Sequence, residues 1–224
     1  MIEEFDVVKK RGKQLLTQYK SLLAQIICTD SSDKHVGYFN GIFYIGDKTP
    51  LLLTVSHFIG KNGATKYFAS FDSKKDYAYD IDLELLKSNN DIAVFKCKLD
   101  LPPLAKPFLP HSPIIGDKTY IIGYEGIDRV LKLTDGIVSS ATPNWDKYTT
   151  SAFSDNGYSG APIIDTEGFL LGIVIAETGE AGEAGEAGEA GERGEGGESH
   201  TSFVSISTIN AFLQTSTPKL PGFY

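Results

Sequence analysis

Apolar and polar residues alternate in short runs along most of this chain, and a period of two predicts β-strands. The first half shows such runs at 21–28, 37–45, 51–56, 67–71, 77–86 and 92–99. Turn-forming clusters separate them: Asp30-Ser31-Ser32-Asp33, Gly46-Asp47-Lys48-Thr49-Pro50, Asn62-Gly63 and Asn89-Asn90. Glycine, proline and short polar side chains favour the tight backbone paths that turns need. Ahead of these runs the spacing changes. Phe5, Val8, Leu15, Leu16, Tyr19 and Leu22 recur near every third or fourth residue, with lysines and glutamates between them. That spacing predicts a helix over about 2–18 that docks on the body, although Gly12 weakens its middle. A partner-binding helix is the alternative.

Residues 101–113, L-P-P-L-A-K-P-F-L-P-H-S-P, hold five prolines and exclude a ladder strand. They suit an extended linker between two halves. The alternating pattern then resumes at 118–124, 130–133, 136–140, 148–153, 162–165, 169–175 and 202–206. The end, 207–214, has a capping serine or threonine and helical spacing. Two sets of about six strands, a linker and a closing helix are what two Greek-key β-barrels require. The expectation is therefore an all-β molecule of two six-stranded barrels with an N-terminal and a C-terminal helix. Residues 1–19 form the first helix, 20–105 the first barrel and 106–224 the second.

One stretch resists this grammar. Asn156-Gly157-Tyr158-Ser159-Gly160-Ala161-Pro162 sets a serine among glycines, just ahead of a proline. Such a path exposes the serine and leaves backbone N–H groups unobstructed, which is what acyl transfer asks of a nucleophile and its oxyanion. An ordinary turn between strands is the plainer reading. A nucleophilic serine needs a base, and the base needs an orienting group. His57 ends the apolar run L-L-L-T-V-S-H, where the scaffold would hold it at a cleft. Asp91 opens the run N-D-I-A-V-F at the mouth of a strand, where a half-buried carboxylate could receive the imidazole N–H. A core histidine and a turn-capping aspartate are the structural alternatives. Of the other histidines, His111 falls in the proline-rich linker without an evident role, and His35 and His200 carry no motif.

The blocks T-V-S-H, N-D-I-A-V and G-Y-S-G-A-P occur in the order His, Asp, Ser. Together they resemble the signature blocks of trypsin-like serine proteases of the chymotrypsin fold, closest to the disulfide-free HtrA-like bacterial type. Asp135-Gly136-Ile137-Val138-Ser139 resembles the strand before the nucleophile loop, and G-F-L-L-G-I-V-I-A at 168–176 the hairpin and strand after it. The resemblance covers roughly residues 20–215 and implies a catalytic triad of His57, Asp91 and Ser159. It further implies an oxyanion hole from the N–H groups of Gly157 and Ser159, and a substrate pocket near Phe153, Asn156 and Ala176. An aromatic floor at Phe153 suits small or apolar residues; His200 would suit a glutamyl side chain, but a histidine in a surface loop is the plainer reading. Tyr158 stands where digestive relatives carry an aspartate that pairs with a freed N-terminus, so activation by cleavage is not expected.

Charge adds one feature. The chain totals −8, and residues 179–198 alone carry seven Glu and one Arg, leaving only −2 for the rest. A nearly neutral body lacks the basic face that nucleic-acid binding wants. The insert itself repeats Gly-Glu-Ala with glycine at every third position from Gly179 to Gly197. Without proline, and with few triplets, it is expected to be a disordered acidic loop and not a collagen-type helix. By the resemblance it borders the specificity pocket and biases it toward basic or extended substrates. Cys28 and Cys97 read as buried free thiols in a reducing compartment, the cytoplasm. They lack metal-ligand spacing, and no metal or other cofactor is expected. No apolar stretch is long enough to cross a membrane as a helix, and the opening residues do not resemble a signal peptide. The expected partner is a protein or peptide substrate, with no nucleic acid and no membrane. The oligomeric state stays open. A serine endopeptidase is thus the leading class, ahead of a silent protease-fold binding module and an oligomerising protein that uses the Gly-x-y insert.

Overall fold

The computed structural model describes residues 2–45, 50–70, 81–89, 91–97, 110–125, 129–144, 146–154, 157–178 and 200–214. Helix α1 (Ile2–Tyr19) runs through a short 3-10 turn into the first barrel. That barrel comprises β1 (Leu23–Thr29), β2 (His35–Ile45), β3 (Pro50–Val55), β4 (Lys66–Ser70), β5 (Ile81–Ser88) and β6 (Ile92–Cys97). The second comprises β7 (Lys118–Glu125), β8 (Val130–Ala141), β9 (Lys147–Thr150), β10 (Pro162–Asp165), β11 (Leu170–Thr178) and β12 (His200–Ser205). Helix α2 (Ile206–Gln214) follows directly.

Both barrels close, and they close in the same order. The first runs β1-β2-β3-β6-β5-β4, and the second, traced from β7, runs β7-β8-β9-β12-β11-β10. Every ladder in both is antiparallel. This is the expected all-β, chymotrypsin-like architecture of two six-stranded barrels with a helix at each end. Closure also leaves no strand edge unpaired.

Strands β7, β10 and β11 of the second barrel read as nearly continuous apolar runs because both their faces are buried. Ile121, Ile163, Leu171, Val174 and Phe203 point into the barrel and pack with Tyr158. Their neighbours Tyr120, Ile122, Ile164, Leu170 and Ile173 face the other way, into one cluster with Phe39, Leu52 and Phe95 of the first barrel. A period of two therefore fills two cores at once.

Three sequence expectations change in detail. The separate runs at 130–133 and 136–140 are one strand, β8, with Thr134 and Asp135 paired opposite Ile121 and Tyr120. The strand expected at 148–153 ends at Thr150, where the chain turns toward the serine loop. His200 opens β12 opposite Thr178 instead of lying in a loop. Most of the proline-rich linker, part of the 77–86 run and the acidic insert lie outside the described residues.

Candidate active site

His57 owes its place to the end of β3. Val55 pairs with Ile92 of β6, and the Ser56 N–H donates to the Asp91 carbonyl at 3.2 Å. The turn after β3 therefore lies beside the start of β6, bringing His57 and Asp91 to one rim. The exposed imidazole packs on Phe58 with ring centroids 4.3 Å apart, and Phe58 stacks on buried Phe39 at 4.7 Å. Loss of water at this rim lowers the His57 pKa from its usual 6.5, and nearby Lys61 lowers it further, against the pull of Asp91. Asp91 is set from behind by Asn89, whose Oδ1 accepts the N–H groups of Asp91 at 2.9 Å and Ile92 at 2.7 Å.

Ser159 sits in the connection between β9 and β10, a tight turn built on glycine. Gly157 has φ +100° and Gly160 φ +84°, values that side chains disfavour. A Cβ on Gly160 would stand 1.9 Å from the Asn40 carbonyl oxygen, so only glycine fits. The turn is laced to its surroundings: Ala161 N–H to Tyr158 O at 2.8 Å, Gly160 N–H to Val174 O at 2.8 Å, and Asn40 N–H to Ser159 O at 2.8 Å. Tyr158, 1% exposed, plugs the loop into the second core. The N–H groups of Gly157 and Ser159 donate to no acceptor among the described residues. They flank Tyr158 on either side.

Asn40, fully buried, ties this loop to both barrels. Its Nδ2 donates to Gly157 O at 2.6 Å and to Tyr124 O at 3.0 Å, and its Oδ1 accepts the Tyr124 N–H at 2.7 Å. Thr54, next to the strand end that carries His57, donates its hydroxyl to Asn40 O at 2.5 Å. The histidine strand and the serine loop thus share one anchor. Sequence reasoning placed Asn40 only within a strand; an Asn-Gly pair inside an alternating run is the signal that something besides sheet pairing occurs there.

A cleft of about 440 Å³ opens between the barrels, with His57, Asp91, Lys147, Tyr148, Ile175 and Ser202 among its lining. Ser159 is not in that lining. Asp91 Oδ1 accepts from Lys147 Nζ at 2.9 Å, while the imidazole of His57 makes no hydrogen bond among the described residues. The fold therefore brings His57 and Asp91 to one cleft wall and ties Ser159 to the same anchor, without a hydrogen-bonded chain through all three. Lys147 was not singled out by sequence, since a lysine opening a short strand carries no pattern.

The expected pocket residues fare differently. Phe153, half buried, accepts the Thr134 hydroxyl on its carbonyl at 2.6 Å and does not line the cleft. Ala176 holds the β11 position opposite Ser202. Asn156 lies outside the described residues. His111 is engaged, its Nδ1 lying 3.0 Å from Asp165 Oδ2. Cys28 and Cys97 are free and buried, and burial pushes both thiols up to about 12. No group of three or more His, Cys, Asp or Glu fit to hold a metal occurs among the described residues, and no described helix is long and apolar enough to cross a membrane.

The fold is similar to that of the serine endoprotease from Yersinia pestis, at a TM-score of 0.68 and 21% identity. That likeness covers 91% of this chain and 65% of the other, so the chain spans about two thirds of its relative's length. A search of curated proteins finds no match. A profile of the trypsin-like peptidase domain matches residues 40–173, from the anchor asparagine through the serine loop into β11, and the chain belongs to that family.

Proposed function

We propose that this chain is a serine endopeptidase. The observation that carries the reading is the serine loop. Its two N–H groups, of Gly157 and Ser159, donate to no acceptor among the described residues, and Asn40 holds the loop against the barrel that bears His57. In this reading Ser159 Oγ attacks a peptide carbonyl carbon as His57 takes its proton. The two N–H groups receive the oxygen that becomes negative. The C–N bond then breaks, His57 returns the proton to the leaving amine, and water repeats the sequence to release the acid. Asp91 orients the imidazole and stabilises its cation. Phe153, Asn156 and Ala176 are the candidate surroundings of the residue before the cut, with small or apolar side chains preferred. Two buried unpaired thiols support a reducing, cytoplasmic setting.

A second reading is a protein-binding module on the same fold, favoured by the pairing of Asp91 with Lys147 instead of His57. A fluorescent fluorophosphonate separates the two. Labelling of wild type, with none of Ser159→Ala or His57→Ala, supports the peptidase. Folded wild-type protein that takes no label puts the binding module ahead.

A further inference from the structure

Two side chains stand to share one carboxylate at the cleft. Lys147 reaches from β9 across the barrel interface to Asp91 at 2.9 Å, and His57 lies on the same wall. The lysine has no other ion partner among the described residues. Its sequence neighbour Asp146 is taken by the Thr142 hydroxyl at 2.5 Å. Its backbone is fixed by Thr142 N–H to Lys147 O at 2.9 Å and by pairing opposite Val204. Among the described residues, the charges that act on His57 are Lys61, which lowers its pKa, and Asp91, which raises it. At rest, with the imidazole neutral, Asp91 balances Lys147. When His57 takes the proton of Ser159, the imidazolium and the ammonium both face that single carboxylate. The cleft then holds one positive charge too many.

We propose that Lys147 is a specificity-determining residue that takes an acidic side chain of the substrate, and that Asp91 passes to His57 as it does so. This rests on the peptidase reading above. A substrate carboxylate restores the balance: one anion for the ammonium, one for the imidazolium. Its benefit appears mainly once His57 is charged, so it acts on the transition state more than on the bound ground state and raises kcat. The cleft is large enough for such a side chain, and Ser202 is among the residues that line it.

Peptides with glutamate in place of glutamine, one position at a time, test the substrate side. At one position glutamate should raise kcat by about fivefold, the scale of a partly exposed ion pair. The gain should vanish in Lys147→Met and persist in Lys147→Arg. No such position, or a preference unchanged in Lys147→Met, overturns the proposal. A second measurement needs no turnover: titration of the His57 imidazole by NMR. Removing the competing ammonium should raise its pKa in Lys147→Met, and a glutamate peptide from the series, but not its glutamine twin, should raise it in Ser159→Ala, which binds without cutting. Unchanged titrations also overturn the proposal. If His57 responds as expected while fluorophosphonate fails to label Ser159, the peptidase reading falls and the competition for Asp91 stands.

Discussion

Asn40 shows how much one buried side chain can decide. Its amide satisfies Tyr124 N–H, Tyr124 O and Gly157 O together. Truncation removes three hydrogen bonds, two of them buried, and Asn40→Ala should cost about 3 kcal/mol, read in a denaturant melt. Asn40→Asp keeps the shape but sets an oxygen against two carbonyl oxygens, so it should be no better than alanine. Both should slow fluorophosphonate labelling of Ser159, because Gly157 loses its hold. His57 gives the residue-scale pH prediction. Its base form is the neutral one, and its pKa is lowered from 6.5, so neutral imidazole persists to lower pH. The acid limb of the labelling rate should therefore fall below 6.5, and Lys61→Met should move it upward. His57, Asp91 and Ser159 stood out as candidates because each ends or interrupts a strand-like run with chemistry a strand does not need. Asn40 was not, because its partners lie 84 and 117 positions away and leave no local trace.

Among elements, the turn between β9 and β10 is the least tolerant. A methyl at Gly160 meets the backbone of β2, and its φ is left-handed besides. Gly160→Ala should cost about 3–4 kcal/mol, at the upper end for one substitution. Gly37→Ala is the matched control: a Cβ there meets nothing within 4 Å, and the change should stay within about 0.5 kcal/mol in the same melt. Strand existence was legible from the period of two, whereas strand extent was less so. Thr134 and Asp135 look like a turn because both are polar, yet β8 carries them on a largely solvent-facing ladder where polar residues are at home. Conversely, the inward and outward faces of β7, β10 and β11 were indistinguishable by composition, since each faces a core.

At the scale of the molecule, the same strand order occurs twice, and the same connection carries a candidate site residue twice. His57 follows the third strand of its barrel, and Ser159 follows the third strand of the other. The helices then cross over. α1 precedes the first barrel but seats on the second, with Leu15 and Tyr19 buried, the Tyr19 hydroxyl donating to Gly168 O, and Arg11 Nε donating to Thr166 O at 2.5 Å. α2 follows the second barrel but reaches the first, where Lys87 Nζ donates to Phe212 O and lies 3.6 Å from its ring centroid. Leu15→Ala should cost about 3 kcal/mol in a thermal or denaturant melt. The crossing also sets an order of events during synthesis. Tyr19 leaves the ribosome 149 residues before the carbonyl that receives it. The apolar stripe of α1 therefore waits, uncovered, while both barrels are made. If docking of α1 also follows barrel closure when the whole chain refolds, weakening that seat should quicken unfolding and leave the refolding rate almost unchanged, as paired unfolding and refolding rates of Leu15→Ala would read.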